Sequence, residues 1–250
     1  MQGDHPIPNH PTHCTNMSPT TPQILAQLKQ LANPQKAIYK AKKFNIQAQN
    51  TWGIYQADLK ALAKTLPKDP KLALELYNSG IYEARLLCAK LFPLKALQGE
   101  QMEQWVQDFE NWEICDTFCM GLFAKSPLAV EKIQAWATRE PAYEKRASFA
   151  TLAAYCMANK KANNAHFQQF FPLIEAAAVD NRIYVKKAVN WALRNIGKRN
   201  PDLYQEAKAC AERLLQQPYK SAQWIAKDAL QQWSKPNYKY SNYPRTIYKK

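Results

Sequence analysis

One short string returns along the chain at a spacing that few folds can use. Gly80-Ile-Tyr-Glu-Ala-Arg85, Pro141-Ala-Tyr-Glu-Lys-Arg146 and Arg182-Ile-Tyr-Val-Lys-Lys187 each carry a tyrosine (Tyr82, Tyr143, Tyr184) with a cation three residues later. Asn111-Trp112-Glu113 falls in the same register with Trp112 in the tyrosine's place, and Pro218-Tyr219-Lys220 opens a fifth copy. The steps between these aromatic residues are 30, 31, 41 and 35 residues, the range of stacked helix pairs in which no unit buries its apolar face alone. Stacking would set equivalent first turns side by side, which aligns Arg85, Arg146 and Lys187 as one basic track on a concave edge.

The remaining chain agrees with a helical repeat. Ile24, Leu25, Leu28 and Leu31 recur at helix spacing, and Asn33-Pro34 opens a second helix with proline in its first turn. The periodicity predicts further helices at about 55–66, 69–78, 80–92, 97–108, 111–124, 127–138, 141–158, 164–178, 181–198, 201–216 and 219–233. No stretch alternates apolar and polar residues for long enough to be a strand. The expected fold is all-α: an α-α superhelix, a helical-repeat solenoid forming a single curved domain with a concave basic face. Residues 1–22, with five prolines, are expected to be a flexible segment, 23–234 the repeat domain, and 235–250 a basic, tyrosine-rich tail.

Composition narrows the function. Six glycines in 250 residues, and no G-x-G-x-x-G or G-x-x-x-x-G-K-[ST] string, argue against a glycine-rich nucleotide cradle. No apolar run approaches the ~18 residues that span a bilayer, so no membrane partner is expected. The first ten residues have neither the basic start nor the apolar stretch of a secretory leader, and six scattered cysteines in mostly apolar contexts fit a reduced, cytoplasmic chain. The formal charge is +14, and residues 23–234 hold 29 of the cations against 19 acids. A folded body with that excess suits a polyanion, nucleic acid above all, although a generally basic surface would look the same.

Helix faces single out candidates. In 181–198, at about 100° per residue, Val185, Ala188, Val189, Ala192 and Ile196 form the core stripe. Tyr184, Lys187, Trp191, Arg194 and Lys198 cluster within about 80° on roughly the opposite side. Packing against the next repeat would explain Trp191, but the cations beside it exclude a dry interface and favour a binding role. In 111–124, Ile114, Cys115, Phe118 and Leu122 make the apolar face, while Trp112 and Asp116 stand together one turn apart and well away from it. Asp116 alone would read as a solvated acid or the partner of a cation; beside Trp112, in a basic protein, it becomes a candidate site. A base alkylated on a ring nitrogen is cationic, and an indole face attracts a cation. Breaking its N-glycosidic bond develops oxocarbenium charge, which a fixed carboxylate stabilises, while Arg and Lys hold phosphates. No metal or cofactor is required, because the lesion is its own leaving group.

These strings resemble the AlkD-type DNA alkylation repair glycosylases, which are built from HEAT-like repeats. The resemblance rests on Gly53-Ile54 with Asp58-Leu-Lys-Ala-Leu-Ala-Lys64, Tyr82-Glu-Ala-Arg85, Trp112-Glu-Ile-Cys-Asp116, Lys145-Arg146-Ala147 and Lys187-Ala-Val-Asn-Trp191-Ala-Leu-Arg194, the last extended to Gly197-Lys198-Arg199-Asn200-Pro201. It covers about residues 23–234. It implies release of N3- and N7-alkylated purines from double-stranded DNA held on the concave face, by a monofunctional enzyme expected to be a monomer. It also implies Asp116 as the catalytic carboxylate, with Trp112 and Trp191 against the damaged nucleotide's backbone and sugar. Arg146 becomes a phosphate contact and Tyr39 a further substrate contact, with Arg85, Lys187, Arg194 and Lys198 along the DNA backbone. The family is understood to act with the lesion still stacked, which would turn the cation–π contact into one with the sugar and backbone. The link Asn45–Thr51 is longer than the family's, and Tyr55-Gln56-Ala57 replaces its proline-containing turn.

Other patterns carry less. Cys115 and Cys119 share a helical face but lack a second ligand pair, so core packing is the expectation. His5, His10, His13 and Cys14 would hold at most an adventitious metal. The tail, with Tyr238, Tyr240, Tyr243 and Tyr248 among five cations, would add nonspecific DNA affinity or act as a solubilising end, with the second preferred. A non-catalytic binder of distorted or branched DNA and a protein-binding solenoid are the alternative functions.

Overall fold

The computed structural model describes residues 18–248, and every regular element among them is helical. The helices are α1 (Thr21–Gln30), α2 (Pro34–Phe44), α3 (Gln56–Ala63), α4 (Pro70–Asn78), α5 (Tyr82–Leu91), α6 (Gly99–Gln107) and α7 (Trp112–Gly121). They continue as α8 (Ala129–Ala137), α9 (Ala142–Ala158), α10 (Ala165–Gln168), α11 (Phe171–Ala177), α12 (Ile183–Gly197), α13 (Pro201–Leu215) and α14 (Lys220–Trp233). Single 3₁₀ turns at Leu94–Ala96 and Phe123–Lys125 punctuate the series. His5, His10, His13 and Cys14 lie outside the described residues.

Helix starts follow local chemistry. Asn33, Asp69 and Asn200 each accept a backbone N–H three residues on, and each is followed by a proline whose missing N–H costs nothing in the first turn. Asn111 caps α7 twice, its Oδ1 accepting from Glu113 N at 2.9 Å and Ile114 N at 3.2 Å. α3 ends at Ala63, short of the expected 66, and two further boundaries differ from the periodicity. The helix expected at 164–178 breaks into α10 and α11, because Pro172 cannot continue the hydrogen-bond ladder and instead opens a new first turn. α7 stops at Gly121 and gives way to the 3₁₀ turn that was expected to be its last part.

The helices stack in two layers. α3, α5, α7, α9, α12 and α14 pack in chain order as an inner row, and α4, α8 and α13 back it on the outside. This is the all-α superhelix expected from the repeat. The core stripe of α12 is as the periodicity implies, with Val185, Ala188, Val189, Ala192 and Ile196 fully buried. Two apolar cores run through the body, and Trp191, half-buried, packs against both.

A buried carboxylate ties the first helices to this row. Glu83, at the start of α5, accepts from Gly53 N at 2.8 Å, Ile54 N at 3.2 Å, Trp52 N at 2.9 Å and Thr51 Oγ1 at 2.8 Å. Gly53 has φ of +76°, and a Cβ there would come within 2.1 Å of the Asn33 carbonyl oxygen, so only glycine fits. Farther along, the buried Lys40–Glu113 pair at 2.6 Å and the bonds of Phe44 and Asn45 to Trp112 and Tyr184 lay the C-terminal end of α2 across α7 and α12.

The described part of the C-terminal tail is not a loose solubilising end. Tyr238 Oη donates to Gly197 O at 3.1 Å, Ser241 N to Lys198 O at 2.8 Å and Tyr243 N to Arg199 O at 2.9 Å. Tyr204 collects Trp233, Tyr238 and Tyr240 around it with ring centroids 5.6, 6.1 and 5.6 Å away. Aromatic burial and backbone pairing together outweigh the solvation of the lysines between them.

Candidate active site on the inner helix row

Counting from the helix start explains which side chains meet. Asp116, Arg146 and Lys187 are each the fifth residue of consecutive inner helices, α7, α9 and α12. All three line one cavity of about 460 Å³, together with Trp112, Tyr184 and Phe44. At its centre Arg146 grips Asp116 with two parallel bonds, Nε to Oδ1 at 3.0 Å and Nη2 to Oδ2 at 2.8 Å. Its remaining arm, Nη1, donates to the Tyr184 carbonyl at 2.6 Å. The guanidinium is buried, and the carboxylate keeps 17% of its side chain open. Burial pushes the Asp116 carboxyl above the usual carboxylate range, against the attraction and hydrogen bonds of Arg146.

Trp112 and Asp116, one turn apart, also face a second cavity of about 970 Å³ on the α3 side. Lys60, Lys64, Lys68, Lys90 and Lys125 line it, together with the exposed apolar side chains of Leu94 and Met120. The carboxylate therefore stands where two cavities meet, flanked by cations on both sides. None of those five lysines was singled out from the sequence. Lys60, Lys64 and Lys68 recur every fourth residue, a spacing that could have marked them as one face, but Lys90 and Lys125 converge only through the fold. Phe44 and Asn45 were missed as well. The Phe44 carbonyl accepts the Trp112 Nε1–H at 2.8 Å, and Asn45 Nδ2 donates to Tyr184 Oη, so the end of α2 roofs the Asp116 cavity.

The other expected residues are spread more widely. Tyr39 is exposed on α2, its ring edge-on to Phe44 at 5.7 Å, and stands outside the cavity. Trp191, Arg194 and Lys198 continue along α12 and line a third cavity beside the C-terminal segment. Arg85 leaves the expected basic track. α5 begins at Tyr82 itself, whereas Ala142 precedes Tyr143 and Ile183 precedes Tyr184, so Arg85 is the fourth residue of its helix. There it pairs with Glu110 at 2.7 Å and donates to the Asp108 carbonyl at 2.9 Å. Arg146, expected as a phosphate contact, gives three of its five N–H donors to Asp116 and Tyr184.

Competing chemistry is thin. Cys115 and Cys119 are buried with their sulfurs 4.0 Å apart, and burial pushes the Cys115 thiol up, away from a reactive thiolate. Among the described residues, no group of three His, Cys, Asp or Glu side chains could hold a metal ion, and no helix is long and apolar enough to cross a membrane.

Comparison with known proteins gives the arrangement a lineage. A solved structure described as "a new family of proteins related to the HEAT-like repeat DNA glycosylases with affinity for branched DNA structures" superposes with a TM-score of 0.69. It covers 86% of this chain and 95% of its own at 16% identity, which shows the shared fold. A designed armadillo repeat protein, 16% identical over 70% of this chain and 92% of its own, reaches a TM-score of 0.33, too low to carry an argument. No curated protein matches. The family described as "DNA alkylation repair enzyme" matches residues 24–209, from α1 into α13 and across every helix that lines the Asp116 cavity. The chain belongs to the DNA alkylation repair enzyme family.

Proposed function

We propose that this protein is a monofunctional DNA glycosylase that hydrolyses the N-glycosidic bond of N3- and N7-alkylated purines in duplex DNA. The observation that carries the reading is the Asp116 carboxylate, fixed by Arg146 and open to a concave, cation-lined groove beside Trp112. The alkylated base is already cationic, so when the C1′–N bond breaks its electron pair leaves with the base, which departs neutral. The positive charge passes to the sugar, where the carboxylate stabilises it in a partly dry site, and water adds to C1′ and loses a proton. Arg146 acts by holding Asp116, while Lys187 and the lysines of the second cavity hold phosphates. Trp112 supplies an aromatic face to the sugar. The half-roofed, shallow site suits a base that stays stacked rather than one extruded into a deep pocket. The enzyme acts as a monomer, without metal or cofactor, in the cytoplasm.

Duplex DNA carrying N7-methylguanine tests this by direct measurement of free base. Wild-type protein should release it, and Asp116→Asn should be slower by about 100-fold or more. No release by the wild type, or equal release by the variant, overturns the mechanism. Salt-sensitive DNA binding without release would favour the alternative suggested by the branched-DNA affinity of the solved relative, a non-catalytic DNA binder.

A further inference from the structure

The basic face of α12 does not end at the Asp116 cavity. Lys187 lines that cavity, and Trp191, Arg194 and Lys198, on the following turns, line another of about 500 Å³. Its opposite wall is the C-terminal segment, through Lys235, Lys239 and Tyr240. The family match spans residues 24–209, so α14 and this wall lie outside the matched residues.

The wall is built. Tyr238 and Ser241 are bonded to the backbone at Gly197 and Lys198, and they bracket Lys239 and Tyr240 between two anchor points. The slot holds four cations, and among the described residues Arg194 alone of them pairs with a carboxylate, at a long 3.8 Å from Asp228. Arg194 Nε has no hydrogen-bond partner although it is shielded from solvent. Clustered charge left largely unneutralised suits an anionic ligand. From Lys187 to Lys198 the stripe runs about 16 Å along the helix, which matches about five phosphate steps of one DNA strand rather than one small anion. Trp191 and Tyr240 add aromatic faces for sugars or bases.

We propose that the slot between α12 and the C-terminal segment binds the phosphodiester backbone of DNA flanking the Asp116 site, a grip to which residues outside the family match contribute one wall. This rests on reading the Asp116 groove as a DNA site, and the test separates the two. Full-length protein is titrated with an undamaged duplex of about 20 base pairs, two helical turns, by fluorescence anisotropy across a salt series. The variant Lys235→Gln/Lys239→Gln is compared with Lys71→Gln/Lys208→Gln, which removes two charges from outer helices. All of these lysines are exposed or half-exposed, and circular dichroism verifies that each variant folds as the wild type does. The slot variant should flatten the slope of log Kobs against log[salt] by about 1.8, the outer variant by close to nothing. A wild-type slope in the slot variant, or the same flattening in both, overturns the slot while leaving the groove standing. A wild type without salt-sensitive DNA binding overturns both.

Discussion

Arg85 and Arg146 stand in the same relation to a tyrosine, three residues after Tyr82 and Tyr143, yet the fold gives them opposite tasks. Arg85 is the fourth residue of its helix and reaches the loop before α7, where Glu110 and the Asp108 carbonyl take it up. Arg146 is the fifth residue of its helix and turns toward the neighbouring inner helix, where Asp116 occupies the fifth position too. In this stack, the side chains that share the Asp116 cavity hold the same place counted from their helix starts. A conspicuous aromatic residue is a poor ruler, because it can begin the helix or follow its first residue. One residue of slippage is about 100° of rotation, enough to move a cation from the groove to a structural corner.

The sharpest break in this comparison is energetic. Arg146→Leu strands a buried carboxylate, and urea denaturation should show a loss of about 3–5 kcal/mol. Arg85→Leu removes a partly solvated pair whose Glu110 keeps 29% of its side chain exposed, and should cost about 1–2 kcal/mol. Equal losses would mean that the two arginines do the same structural work.

A pH profile asks the next question, whether Arg146 acts on the charge of Asp116. Because burial raises that carboxyl, base release should fall as pH drops through a value above the ~3.9 of a free aspartate. Arg146→Gln removes an attraction that favours the ionised form, so the acid limb should move to higher pH. Arg85→Gln should leave it in place. The sign also bears on stability: a carboxyl raised in the folded state contributes stability at low pH that is lost as pH rises through its folded value. The ionised Asp116 is therefore a cost that the fold carries at neutral pH, as expected where a group is kept for chemistry. An acid limb that ignores Arg146 would reduce that residue to packing.

Local patterns were readable in the sequence, and convergence was not. The core stripe of α12 and the pairing of Trp112 with Asp116 depend on residues three and four apart, which one helix fixes by itself. The proline-led starts at Pro34, Pro70 and Pro201 are equally local. The Asp116–Arg146 bond joins two helices across 30 residues of chain, and the sequence offered only a choice between a solvated acid and a paired one. The five lysines of the large cavity come from three separate stretches, 60–68, Lys90 and Lys125, so no window contains them. Trp191 combines both readings that the periodicity left open: it packs against two cores and still lines a cavity. The C-terminal segment misled for a different reason. Its composition is that of a solvated tail, but Tyr238 and Tyr240 find Tyr204, a residue more than 30 positions earlier that nothing near them in the chain announces.

The gentlest test compares Arg85 with Lys187, the residue that shares its cation-after-tyrosine signature but lies in the groove. Lys187 is exposed and lines the Asp116 cavity. If a duplex lies there, Lys187→Gln gives up about one phosphate contact, and the salt slope of DNA binding should flatten by about 0.9. Arg85→Gln should keep the wild-type slope, since its charge is already spent on Glu110. The prediction survives a modest change in overall affinity, because the slope counts released counterions rather than total binding energy. Flattening by Arg85→Gln to the same degree would place DNA against the Glu110 corner, and the one-residue difference in register would then lose its functional meaning.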